Sequence, residues 1–292
     1  MSQGIPDSQR LMRMLGPGDE TRLEDFLAAH ADSSMSLREN LLRAGLRDDG
    51  GEFAAAYAAS FVDGRVCGVA ALCSNGMLLL QAPTDAAALA RLAAEGGRRA
   101  VTGALGPCAQ VDAAFAGLGL ESRPLRKRTR EDLFGLSLRE LVVPACLTTA
   151  GAVCRRASAA DLPVLAPWRH GYEIAVRGAP DSAATRVEAE RRVAGLIADG
   201  DAFLLEVDGR PAAFCAISAR LHEIVQIGGV WTPPALRGRG FARGAVAGAL
   251  MAARAEGARR AVLFTSDAAA RRSYEAVGFR RVGDFGIALF AR

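Results

Sequence analysis

Aromatic residues make up only 6% of the 292 positions, and lysine occurs once, as Lys127, among 36 basic residues. Nucleic-acid surfaces usually interleave cations with aromatic rings. The one dense basic run here, Arg123 to Arg130, contains no aromatic residue and is followed directly by Glu131 and Asp132. It reads as a solvated face, and no nucleic-acid partner is expected. Histidine is scarce too, with three in the chain, and neither His170 nor His222 has a second ligand at helical or hairpin spacing, so no metal site is expected. The six cysteines (Cys67, Cys73, Cys108, Cys146, Cys154, Cys215) form no Cys-x-x-Cys pair and sit mostly in apolar runs. They read as small buried hydrophobes in a reducing compartment. No apolar run approaches the roughly 18 residues that a membrane span needs, and Met1 to Arg13 is polar. These absences together predict a cytoplasmic protein with no membrane partner, a monomer or homodimer.

Half of the residues are apolar and the formal charge is only +4, so the chain can bury a sizeable core while keeping a mildly positive field that suits a phosphate-bearing ligand. Its length predicts two domains, and an internal echo supports this. Val62-Asp63-Gly64-Arg65 recurs as Val207-Asp208-Gly209-Arg210, each time between apolar runs. Asp-Gly in that setting signals a hairpin, because both central turn positions favour positive φ. The expected hairpins join Ala54–Val62 to Arg65–Cys73 and Ala202–Val207 to Pro211–Ser218. Each is followed by an apolar strand, an Ala-rich helix, a short strand beginning Ala-Val (Ala100-Val101, Ala261-Val262) and a helix closed by glycine, at Gly119 and Gly278. Two similar α+β domains are predicted, 1–148 and 149–292, with the junction where Pro144 and Thr148 to Gly151 break the periodicity. Ser158-Ala-Ala-Asp161 has the form of a capping box opening the first helix of the second domain.

The chemistry concentrates in the second half. After Glu223-Ile-Val-Gln-Ile-Gly-Gly-Val-Trp231 and Thr232-Pro233-Pro234 comes Arg237-Gly238-Arg239-Gly240-Phe241-Ala242-Arg243, which opens a helix running to about Glu256. A glycine turn feeding a helix N-terminus leaves backbone N–H groups pointing outward with the helix dipole behind them, which makes an anion site. Gly238 and Gly240 allow close approach, and Arg237, Arg239 and Arg243 add charge. The turn lacks the Gly-Lys-Ser/Thr ending of a nucleotide-binding loop and the spacing of a dinucleotide fingerprint. Taken alone, it could equally be a flexible surface turn.

Arg237-x-x-Gly240-x-Ala242 after Val230-x-Thr-Pro-Pro resembles the signature of the GNAT acetyltransferase superfamily, in which this pattern holds the pyrophosphate of coenzyme A. Downstream, Asp267-Ala-Ala-Ala-Arg271-Arg-Ser-Tyr274-Glu-Ala-Val-Gly278-Phe279 resembles the family's Asn-x-x-Ala-Arg-x-x-Tyr-Glu-x-x-Gly-Phe ending, with Asp267 where asparagine is usual. The resemblance is specific over about the last 140 residues and architectural before that. It implies two GNAT-like domains in tandem, each a mixed, mostly antiparallel sheet flanked by helices, similar to two-domain GNAT proteins of bacteria.

The resemblance further implies acetyl-CoA as cosubstrate and the amine of a small molecule or peptide as acceptor. Main-chain groups of Val230, Trp231 and Thr232 would pair with the pantetheine arm through a strand bulge, and Arg237, Gly238, Arg239, Gly240, Phe241, Ala242 and Arg243 would cradle the pyrophosphate. Asp267 stands at a further cofactor contact, or caps its helix. Tyr274 would protonate the departing thiolate, a role for which a phenol of pKa near 10 is suited, or it fills the core beside Phe279. Glu223 is the titratable candidate for general base, with a solvent-facing strand residue as the alternative. An alternating strand puts Glu223 and Gln226 on opposite faces unless a bulge intervenes. Acceptor specificity would come from 161–196, where Trp168, His170, Tyr172, Glu173 and Arg177 cluster. The first half has Leu80-Gln-Ala-Pro83-Thr-Asp at the corresponding turn and Phe115 at the tyrosine position. It reads as a degenerate copy of the second, which leaves a non-catalytic acyl-CoA sensor or partner-binding module as the alternative function.

Overall fold

The computed structural model describes residues 10–148 and 151–291, so residues 149 and 150 of the expected junction lie outside the described residues. The chain divides into two compact units, Met1–Asp132 with Gly283–Arg292, and Leu133–Val282.

The first unit runs β1 (Arg10–Met14), α1 (Glu20–Ala29), α2 (Met35–Ala44), β2 (Ala55–Val62), β3 (Arg65–Cys73), β4 (Met77–Gln81), α3 (Ala86–Gly97), β5 (Gly103–Gly106), α4 (Cys108–Leu118) and into β6 (Leu125–Ser137). The second unit takes the end of β6 and continues with β7 (Ala152–Arg156), α5 (Leu162–Ala175), α6 (Ala183–Ala198), β8 (Ala202–Val207), β9 (Arg210–Arg220) and β10 (Ile224–Trp231). It closes with α7 (Phe241–Ala255), β11 (Arg260–Thr265), α8 (Ala268–Glu275) and the start of β12 (Arg280–Phe290). The plan expected from the echo, a hairpin followed by strand, helix, strand and helix, is present in both units, and each also has two helices between its opening strand and the hairpin.

Both hairpins close as two-residue turns, Val62 pairing with Arg65 and Val207 with Arg210. Asp63, Gly64, Asp208 and Gly209 all have positive φ, between 49° and 77°, as that turn requires. Pairing is antiparallel from β1 to β4 and from β7 to β10, and parallel between β4 and β5 and between β10 and β11. The mixed, mostly antiparallel sheet is therefore as expected.

The division falls elsewhere than 148/149, because two long strands change core in mid-course. β6 alternates exposed and half-buried residues up to Arg130, then becomes almost continuously buried from Leu133. Phe134, Leu136 and Leu138 lie in the second unit's core with Leu205, Val225, Val246, Leu250, Leu263 and Phe279. β12 makes the reverse passage: Gly286 pairs with Gly106 of β5, and Ala288 and Phe290 join the first unit's core with Leu78, Leu80, Leu89 and Phe115. A Pro-marked break looks like a boundary in sequence, whereas an uninterrupted strand conceals one.

Small residues let α7 lie close on its sheet. Gly244 faces Leu205 and Cys146, and Gly248 lies so near Cys154 that no methyl group would fit between them. The helix buries Ala245, Val246, Ala249, Leu250 and Ala253 on that side, at roughly 25 cal/mol per Å2 of apolar surface removed from water.

Candidate active site

The parallel pairing of β10 with β11 lasts only three residues, Ile224 to Arg260, Val225 to Ala261 and Gln226 to Val262. Beyond Gln226 the two strands continue, to Trp231 and Thr265, without pairing to each other. β10 is bulged there against β9. Gly228 pairs with Ala216 and Trp231 with Phe214, three steps against two, and Gly229 takes φ +60°. The bulge expected near Val230 is thus present. A one-residue insertion re-aims the residues that follow it, and here they are Val230, Trp231 and Thr232 at the mouth of the separated strands. Thr232 is 9% exposed, and its hydroxyl has no partner among the described residues. An orphaned buried hydroxyl costs free energy unless a ligand or water satisfies it.

The chain then makes a single helical turn at Pro234–Leu236 and enters the glycine turn. Gly238 and Gly240 both have φ +78°, a region where side chains are strained, and Gly240 is the N-cap of α7. The first helical bond runs from Gly244 N–H to the Gly240 carbonyl at 3.2 Å. Among the described residues, no acceptor pairs with the backbone N–H groups of Gly238, Arg239, Gly240, Phe241, Ala242 or Arg243. Open space surrounds Gly238, and the Arg243 guanidinium folds over Gly240, where a Cβ would come 2.9 Å from it. Arg237 turns back instead: its Nε donates to the Thr232 carbonyl at 3.1 Å and its guanidinium lies 4.9 Å from the Trp231 ring. Among the described residues, no carboxylate pairs with the side chains or amides of Arg237 to Arg243. Unpaired amides, a helix dipole and exposed Arg239 suit the start of α7 to an anion.

The other predicted residues fall in three places. Asp267 is the N-cap of α8, its carboxylate accepting from Ala270 N–H at 2.6 Å. Tyr274, half-buried on α8, packs on the second unit's core with its ring edge-on to Phe279 at 6.1 Å. Glu223 stands before the first residue of β10, where its carbonyl accepts from Arg259 and Arg260 N–H. Three residues further on, the pairing with β11 ends at Gln226, and the register shifts against β9 begin between Gln226 and Ile227. The residue at the point where the strands part is Gln226, which donates to Ser218 Oγ at 3.1 Å.

Facing β10 is α5, which carries Trp168, His170, Tyr172 and Glu173 of the expected acceptor cluster. Arg169 is 5% exposed, and its Nε and NH2 donate to Glu173 at 2.8 and 2.6 Å. A Cβ on Gly229 would meet its guanidinium at 2.8 Å, so the bulge and this arginine fit only because residue 229 is glycine. Gly171 leaves room for the Trp231 ring, and Tyr172 meets that ring edge-on at 6.5 Å. Arg169 escaped notice because an Arg-Glu pair four residues apart ordinarily marks a solvated helix face. Its place between Trp168 and Tyr172, on the stripe that buries Leu165, was the available signal.

Residues 168–279 match the family model described as the Acetyltransferase (GNAT) family. Among solved structures, the chain resembles a GCN5-related N-acetyltransferase from Sphaerobacter thermophilus at 17% identity and TM-score 0.58, covering 98% of this chain and 96% of that one. A tandem GNAT protein from the clavulanic acid biosynthesis pathway matches at 15% identity and TM-score 0.54, covering 97% and 98%. A GCN5-related N-acetyltransferase from Kribbella flavida matches at 20% and 0.53, covering 77% and 87%. At these identities the likeness shows the fold, and it extends over both units. No curated protein matches the chain in sequence. The match to the GNAT acetyltransferase family thus covers the part of the second unit that carries the bulged strand and the glycine turn.

Proposed function

We propose that the second unit is an acetyl-CoA-dependent N-acetyltransferase acting on a primary amine of a small molecule or peptide. The observation that carries this reading is the run of unpaired amides from Gly238 to Arg243 at the start of α7, which suits a pyrophosphate. The orphaned Thr232 hydroxyl and the main chain of Val230 to Thr232 lie between that anion site and the parted strands, along the course a pantetheine arm would follow. Asp267 adds a helix start with its own cap. Its carboxylate is already engaged in that cap, which leaves the contact made elsewhere by asparagine to its neighbours.

In this reading the acceptor amine attacks the thioester carbonyl, the C–S bond breaks, and Tyr274 supplies the proton that the thiolate takes up. General-acid help of this kind contributes about 10²- to 10⁴-fold. The amine's proton passes to Glu223, three residues before the point where the strands part, or to solvent, since β10 and the turn from Ile224 to Gly240 contain no Asp, Glu or His.

That same lack favours a second reading, an acyl-CoA sensor without turnover. One experiment separates the two. Acetyl-CoA should raise the melting temperature of the full chain, by about 2.7 kcal/mol of stabilisation at 100 times Kd. A thiol-release screen across amines should then give turnover if the enzyme reading holds, and none if the protein only binds. No thermal shift at millimolar acetyl-CoA would remove both.

A further inference from the structure

The side of β9 that faces α5 changes character at the bulge. Phe214 and Ala216 lie in a core with Leu165 and Trp168, whereas the next residue on that face, Ser218, is exposed. Two consecutive glycines of β10 look onto this row. A Cβ on Gly229 would come 3.6 Å from Phe214 and 3.8 Å from Ala216, and one on Gly228 would come 2.8 Å from Ser218 Oγ. Glycine at 228 thus leaves Ser218 room to pair with Gln226. Ser218 Oγ donates to the Gln226 main-chain carbonyl at 3.2 Å and accepts from Gln226 Nε2 at 3.1 Å.

That pairing decides which way the Gln226 amide points. A hydroxyl has one proton, and once Ser218 has given it to the carbonyl its oxygen can only accept, so it holds the NH2 end of the amide and turns Oε1 away. Oε1 is left as an acceptor with no donor among the described residues. It belongs to the residue at which β10 and β11 part and the register shifts against β9 begin. A carboxamide does not titrate, so Gln226 cannot serve as a base, but its oxygen can receive an N–H. Resting on the acetyltransferase reading above, we infer that Gln226 Oε1 accepts a hydrogen bond from the acceptor amine and aims the nitrogen lone pair at the thioester carbon, with Ser218 as the positioning residue that fixes the amide. Gln226 neither gains nor loses a proton in this role. Its contribution is orientation of the attacking atom.

The test needs no identified acceptor, only two coenzyme A thioethers that put a nitrogen or an oxygen where the attacking atom would stand. S-(N-methylcarbamoylmethyl)-coenzyme A carries an N–H there, and S-(methoxycarbonylmethyl)-coenzyme A carries an ester oxygen that cannot donate. In calorimetric titration of the full chain, the amide should bind about fivefold more tightly than the ester, the value of one neutral hydrogen bond. Gln226→Met should bring that ratio to about one, and Ser218→Ala, at an exposed position, should lower it part of the way. Unmodified coenzyme A should keep its Kd within about twofold in both variants, which also shows that each is folded. Equal affinity for amide and ester in the unaltered chain overturns the inference, as does an amide preference that survives Gln226→Met. If the methionine variant does not fold, Ser218→Ala decides, and an unchanged ratio there overturns it. Failure of the acetyltransferase reading looks different, because then neither thioether nor coenzyme A itself binds.

Discussion

The two units run the same parallel strand pair for the same three steps and then part company. In the second, pairing ends at Gln226 and Val262, and the bulged strand leads into a glycine turn with unpaired amides. In the first, pairing runs from Met77 and Gly103 to Leu79 and Leu105, and the strands stay together beyond it. Gly106 lies so close to Leu80 that a Cβ would come 2.7 Å from the Leu80 carbonyl. The next amide, that of Ala82, is taken by the Gln110 side chain at 2.6 Å. At the helix start, Asp85 occupies the N-cap with φ +63°, and its carboxylate pairs with Arg10 at 3.0 Å. Where the second unit has glycine at the helix start, the first has an acid, and that Asp85 carboxylate makes no hydrogen bond to the helix amides. A shared scaffold does not imply a shared site.

Converting one unit to the pattern of the other gives the largest expected effect. Gly240→Asp strains a left-handed position and places a carboxylate where Asp85 sits in the first unit, so the acetyl-CoA thermal shift of about 2.7 kcal/mol at 100 times Kd should vanish. Asp85→Gly in the first unit should leave that shift unchanged, and calorimetric titration should still count one acetyl-CoA per chain. A count of two would mean that the first unit is merely blocked by its aspartate, and the comparison would have to be rewritten.

The next contrast is Tyr274 against Phe115. Tyr274→Phe should lower kcat about 10²-fold and barely move acetyl-CoA affinity, because a half-buried ring keeps its packing on Phe279 while the proton donor is lost. Unchanged turnover would return Tyr274 to the role of core filler. Phe115 is 2% exposed and stacked on Phe290 at 5.1 Å. Phe115→Tyr therefore buries a hydroxyl, costing about 1–3 kcal/mol of stability with no gain in activity.

Much of this was legible in the sequence where local chemistry decides the outcome. The Asp-Gly turns fixed both hairpins, the Ser158 to Asp161 capping box formed as expected, and the glycine turn opened α7. What the sequence concealed depends on contacts distant along the chain. The exchange of β6 and β12 between cores is set by which unit offers a vacancy for Phe134 or Phe290, and no local pattern records that. Glu223 stands just before β10 with its carbonyl taken by Arg259 and Arg260 N–H, a pairing the sequence does not record. Arg169 and Glu173 have the spacing of a solvated helix pair, and only the fold sets that arginine against Gly229.

The smallest effect concerns a feature the units share. In the first, Arg13 grips Asp19 through both guanidinium nitrogens at 2.6 Å, and Asp19 also accepts from Gly16 N–H. In the second, Arg155 grips Asp161 at 2.8 and 2.9 Å, and Asp161 accepts from Ser158 N–H at 2.7 Å. Each clamp ties an opening strand, β1 or β7, to the start of the helix after it, with the same six-residue spacing. The arginine bond is the main cause of a lowered carboxyl pKa in both, to about 2 in Asp19 and lower still in Asp161. A carboxyl depressed on folding lends stability above its unfolded pKa, near 3.9, and that stability fades as pH falls through the folded value. With each arginine more than a third exposed, screening reduces the contribution to about 1 kcal/mol per clamp at neutral pH. Asp161→Asn should therefore destabilise the chain somewhat more than Asp19→Asn, and both penalties should shrink in chemical denaturation as the pH is lowered from 5 towards about 2. If either penalty were flat over that range, its clamp would act by packing and not by charge, and the two units would share a shape at that corner without sharing the force that holds it.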